Sequence, residues 1–87
     1  MTLTEDQVEK VIQQICEGKE FYDSTSEYYE GEAQKFFFFR EEEKFFLQRM
    51  DVIVGSYCTT EEVSREDLKS YLSSQHLSDF KEQGFVL

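Results

Sequence analysis

One histidine, His76, and two cysteines, Cys16 and Cys58, are the residues best suited to covalent or metal chemistry in this chain. A nucleophile such as Cys58 or a serine, with His76 as base and Asp79 to orient it, would need all three within hydrogen-bond reach. No motif surrounds any of them. Cys16 and Cys58 lack the paired spacing of a zinc site. Ser56, Cys58, Thr60, Glu62, Ser64 and Asp67 fall at the ligand offsets of an EF-hand loop. The first three are not carboxylates, however, and Glu61 stands where that loop turns on glycine. Paired carboxylates are too common in so acidic a chain to mark an acid/base pair. The residues therefore argue against an enzyme, and they imply no metal and no cofactor.

The carboxylates carry more information as a group. Nineteen Asp and Glu face nine Lys and Arg, a net charge of -10 on 87 residues. Such a chain is repelled by nucleic acid and by anionic membranes, and its basic residues are scattered too thinly to offset that. Between Lys19 and Lys35 stand Glu20, Asp23, Glu27, Glu30 and Glu32 with no cation among them. Phe21, Tyr22, Tyr28 and Tyr29 are interleaved with this belt, and Glu41-Glu42-Glu43 follows it. On a strand, same-face residues repeat about every 6.7 Å, which would space carboxylates in a row. Such a row could occupy a Lys/Arg groove built for a phosphate backbone. Tyrosine beside acid supplies the packing of an interface anchor. Glu20, Asp23, Glu27, Tyr28, Tyr29, Glu30 and Glu32 are the expected partner-binding residues, and the partner is a protein with a basic surface. The competing reading is a solvated face that keeps a small protein soluble.

The elements that must position these residues can be read from periodicity. Val8, Val11, Ile12 and Ile15 make one apolar stripe on a helix over residues 4–17. Thr4 and Gln7 form a capping box, Glu5 and Asp6 suit the positive end of the helix, and Gly18 stops it. From Glu20 onward the aromatic and β-branched residues favour strands. Phe36-Phe37-Phe38-Phe39, the polar run to Lys44 and Phe45-Phe46-Leu47 suggest a hairpin turning near Glu41–Glu43, with the Phe run paired to residues 45–50. That turn lacks the Gly, Asn or Asp usual in hairpins. The rival is a single helix over 32–54, whose residues are good helix formers without proline. It would leave Phe37, Phe38, Phe45 and Val52 off the apolar face. After Gly55, with Cys58 in a loop-like stretch, Ser64 caps a helix carrying Leu68, Tyr71 and Leu72. Ser78 caps a last short helix, Asp79 to Gln83, closed by Gly84.

The expected fold class is therefore α+β in one domain over residues 1–87. It comprises an N-terminal helix, a short aromatic antiparallel β-meander and one or two C-terminal helices. The all-α arrangement with a central helix 32–54 is the alternative. No apolar run approaches the roughly 20 residues of a membrane span, the first residues lack a signal peptide's pattern, and two cysteines as free thiols fit a reducing, cytoplasmic setting. The C-terminal Phe85-Val86-Leu87 has the apolar character of peptides read by strand addition, although packing on the domain's own core is the simpler expectation.

In layout the chain resembles the small acidic phage-encoded inhibitors of restriction and CRISPR nucleases. The likeness lies in an N-terminal helix (Thr4 to Glu17), an aromatic meander, C-terminal helices and a strong acid excess in a short chain. It spans the whole length, rests on no motif and carries over no site residue. It implies a protein surface that occupies a nuclease's nucleic-acid site. Two classes of function follow: a stoichiometric inhibitor that offers acid and tyrosine to a basic partner, or an adaptor with an aromatic interface whose acidity serves solubility.

Overall fold

The first helix starts at a capping box. The Gln7 N–H donates to Thr4 Oγ1 at 3.2 Å, and the Thr4 N–H donates to Gln7 Oε1 at 2.9 Å. Helix α1 then runs Glu5–Cys16 and buries Val8, Val11, Ile12 and Ile15. It ends in a Schellman motif: the Gly18 N–H reaches the Ile15 carbonyl, and the Lys19 N–H reaches that of Gln14. Gly18 supplies the left-handed turn at φ 105°, which glycine adopts without a Cβ penalty. The computed structural model describes the backbone of residues 1–29, 32–51 and 58–87, and the side chains of residues 1–22, 38–49 and 59–87.

Four antiparallel strands follow in sequence order: β1 Phe21–Tyr29, β2 Glu32–Glu41, β3 Lys44–Asp51 and β4 Cys58–Val63. The Phe run pairs as expected, from Phe36 opposite Arg49 to Phe39 opposite Phe46. The central-helix alternative is thus corrected. A helix would scatter four consecutive phenylalanines around its circumference, whereas a strand divides them between two faces. The β2–β3 hairpin closes at Glu41 opposite Lys44, leaving Glu42 and Glu43 as a two-residue turn. Both have positive φ, 52° and 66°, the signature of a type I′ turn. Strand β4 corrects the loop expected around Cys58. Its Thr59, Thr60, Glu61 and Glu62 are exposed, so an edge strand with little buried apolar surface hid its period. Residues 58–63 are extended and do not curl around an ion as an EF-hand loop must. Val52, Gly55 and Ser56 lie outside the described residues.

Helix α2, Arg65–Ser73, is capped as expected, with the Asp67 N–H on Ser64 Oγ at 3.0 Å. Helix α3, Leu77–Glu82, starts earlier than expected, and its N-cap is His76 rather than Ser78. The N-terminal segment explains the change. Thr2 forms a bridge with His76, and the Leu77 N–H donates to the Met1 carbonyl at 2.8 Å. His76 is thereby held extended, and Leu77 packs against the core. Gly84, at φ 81°, closes α3 in a second Schellman motif, with Phe85 bonded back to the Phe80 carbonyl.

The three helices among the described residues pack on one face of the sheet. Phe21, Phe38 and Leu47 lie in one cross-strand row, and all three are buried with Val8, Val11, Ile12, Ile15, Leu68, Leu72, Phe80 and Phe85. Phe21 stacks on Phe80 at 4.6 Å between ring centroids, and Phe38 meets Tyr71 at 4.5 Å. The C-terminal residues pack on the domain itself. Phe85 is buried, and the Gln14 amide holds the Val86 backbone by two hydrogen bonds, 2.6 and 2.8 Å.

Candidate functional site

The belt falls on the edge of the sheet. Glu20 is exposed immediately before β1, Asp23, Glu27, Tyr28 and Tyr29 are on β1, and Glu32 begins β2. Glu30 lies outside the described residues, and the side chains of the other belt members beyond Glu20 lie outside them too. The belt is not one evenly spaced row. Glu20 and Asp23 fall on opposite parities of the strand, and the register shifts between Thr25 and Tyr29. What the belt shares is position: β1 is the outermost strand of a sheet ordered β1-β2-β3-β4.

That edge is closed at one point. The Tyr22 N–H donates to Gln83 Oε1 at 2.8 Å, and Gln83 Nε2 donates to the Tyr22 carbonyl at 2.5 Å. The amide at the end of α3 thus pairs with β1 as one residue of a neighbouring strand would. It also fixes the polarity of the edge: Tyr22 turns its backbone groups outward, away from β2. In an antiparallel ladder outward-facing residues alternate, so Ser24 is next.

The charges divide unequally. Lys44, Arg49, Arg65 and Lys69 each hold a carboxylate, on Glu62, Glu61, Glu9, and Glu5 with Glu9 respectively. Lys19 lies 5.0 Å over the Phe85 ring and donates to the Gly84 carbonyl, and Arg40 lies 5.8 Å from the centre of Phe45. Six of the chain's nine cations are therefore engaged within the fold. Glu41, Glu42, Glu43, Glu66 and Asp67 are exposed and form no ion pair among the described residues. The hydrogen bond from Arg65 to Glu9 holds that carboxyl below its ordinary pKa, and bonds to Glu5 and then Glu9 raise Lys69. Neither group is buried, so these shifts describe a solvated α1–α2 seam and not a reactive centre.

The open sheet face escaped the sequence reading. Phe39 and Phe46 pair across β2 and β3 on the side away from the helices and stack at 5.7 Å, each half-buried. No helix among the described residues covers them. Four consecutive aromatics suggest a strand buried on both sides, but three short helices in so small a chain can cover only one face. Counting the helices against the faces was the available signal.

Two of the three residues singled out for catalysis have described side chains. His76 is exposed at the start of α3, Asp79 is two residues into that helix's first turn, and the Cys58 side chain lies outside the described residues. Among the described residues no group of three or more His, Cys, Asp or Glu could hold a metal ion, and no helix is long and apolar enough to cross a membrane. Cys16 is a half-buried free thiol. No family model matches the chain, nor does any curated protein or solved structure.

Proposed function

We propose that the chain is an acidic protein-binding protein that acts as a stoichiometric inhibitor, occupying a basic nucleic-acid-binding surface of its partner in a reducing, cytoplasmic setting. The supporting observation is the unequal division of charge. Most cations are spent on internal carboxylates and rings, so the surplus acid faces solvent along the hairpin tip at Glu41–Glu43 and, in sequence, along the β1 edge. A surface of this sign speeds encounter with a basic partner and loses that advantage as salt rises. In this reading Asp23 and Glu27 set the association rate, and Tyr29 supplies packing in the desolvated centre.

The test is displacement. Host nucleic-acid-binding proteins are loaded on immobilised DNA at physiological salt, and the chain is added. Release of a limited set of proteins supports the reading, as does slower association with them by the variant Asp23→Lys with Glu27→Lys and faster dissociation by Tyr29→Ala. If nothing is released, or the charge-reversed variant releases the same proteins at the same rates, nucleic-acid mimicry is wrong. The second reading, an adaptor with an aromatic interface, draws on the uncovered Phe39–Phe46 stack. It requires binding that barely responds to salt.

A further inference from the structure

We infer that the outer edge of β1, from Ser24 onward, docks an extended cationic segment of the partner, which adds to the sheet as a fifth strand. This deepens the proposed function and rests on it. Three observations carry it. First, the edge can accept a strand, because the Gln83 amide already makes the paired hydrogen bonds to Tyr22 that an incoming residue would make. Beyond that clasp, the outward backbone groups of β1 have no partner strand among the described residues, and an exposed ladder of this kind is what strand addition uses. From Ser24, opposite Lys35, to Tyr29, opposite Glu32, the edge spans about 10 Å along the sheet, with a bulge between Thr25 and Tyr29.

Second, charge selects the occupant. The stretch from Glu20 to Glu32 has five carboxylates and no cation. A second copy of this chain would bring the same carboxylates against it, and like charges placed opposite one another destabilise a strand pair. A Lys/Arg-rich segment meets the opposite sign. Third, the other edge of the sheet has no such preference. On β4, Glu61 and Glu62 are already held by Arg49 and Lys44.

The probes are three hexapeptides: alternating Lys-Val, alternating Glu-Val, and the Lys-Val peptide N-methylated at every peptide nitrogen, so that neither edge of it can donate. The last keeps its charge but cannot complete a ladder. Each is titrated into the full chain, with amide shifts and amide exchange read by NMR at two salt concentrations. The expected result is that the Lys-Val peptide slows exchange of the Ser24 amide at least tenfold at saturation and binds less tightly at higher salt, while the other two do neither. Ser24→Pro removes one outward donor at an edge position, where proline is tolerated, and should weaken the peptide at least fivefold. Equal binding of the N-methylated peptide would overturn the inference. So would an unchanged Ser24 exchange rate at saturation, or shifts centred on Phe39 and Phe46. A chain that displaces DNA-bound proteins but binds no peptide through its backbone keeps the proposed function and loses the edge. One that binds the peptide at Ser24 but displaces nothing keeps the edge and loses the mimicry.

Discussion

The β2–β3 turn should be improvable at once, because it holds two glutamates where the backbone suits neither. Glu42 and Glu43 sit at φ 52° and 66°, and the left-handed conformation costs an L-residue with a Cβ roughly 1–2 kcal/mol. Glycine at position 43 removes that cost but gives back about 0.4–1 kcal/mol through its freer unfolded chain. Asparagine at position 42 recovers part of the remainder, because its short side chain tolerates the conformation. The double variant Glu42→Asn with Glu43→Gly should therefore gain about 1 kcal/mol, or about 4–8 °C in Tm for a domain of this size. Removing two charges from a chain at -10 adds a second gain, and salt should screen it. Glu42→Gln with Glu43→Gln separates the two effects, since it removes the charges and leaves the backbone preference nearly unchanged. Urea unfolding at low and high salt measures both variants. The conformational gain should survive high salt, and the glutamine variant's gain should not. If the Asn-Gly variant is no more stable than the parent at high salt, or the glutamine variant accounts for the whole gain, the turn is not strained as argued.

Other expectations follow from the same geometry. Ile12 is fully buried, so Ile12→Ala should cost about 2–5 kcal/mol in denaturant unfolding; a loss below about 0.5 kcal/mol would place it at the surface. At Gly18 an added Cβ meets open space, but φ is 105°, so Gly18→Ala should destabilise by about 1–2 kcal/mol from backbone strain alone. Glu9 has its folded pKa lowered, so its contribution is present above the ordinary carboxyl value and lost as pH falls through the lower folded one. Lys69 has its folded pKa raised, so its contribution is present below the ordinary lysine value and lost as pH rises through the higher folded one. The Tm difference between the parent and Glu9→Gln should thus be largest at intermediate pH, shrink below about pH 4, and narrow with added salt.

Legibility followed burial. The α1 stripe, its capping box and the Ser64 cap were readable because each is a local pattern with a single physical outcome. The Phe run was readable as a strand because no helix face can hold four adjacent aromatics. Strand β4 was not readable, since Thr59 to Glu62 are exposed and its ladder to β3 is a long-range property. The start of α3 depended on Met1 and Thr2, which no window around Ser78 contains. The belt was legible as a charge run but not as a place in the fold. That it lies on an edge strand follows only from the sheet order.

The hairpin tip and the far end of the β1 belt act independently at physiological salt, which bears on what any charge variant reports. Glu32 begins β2 and Glu41 ends it, and β2 is ten residues long, so they stand about 30 Å apart at strand spacing. The Debye length at physiological ionic strength is about 8 Å. A carboxylate at the hairpin tip therefore contributes almost nothing at the Tyr29–Glu32 end of the belt, whereas Asp23, opposite Phe36, stands about 17 Å from Glu41 along the strand, roughly two Debye lengths. At low salt the screening length grows to match the strand, and the two regions merge into one field. Charge changes at Glu41–Glu43 should accordingly alter encounter chiefly at low salt, whereas changes at Asp23 and Glu27 should alter it at both. A rate measured at one ionic strength cannot tell the edge from the tip, and a salt series can. That is also why the backbone-blocked peptide is the decisive probe: hydrogen bonds along the ladder act at contact and do not vary with the reach of the field.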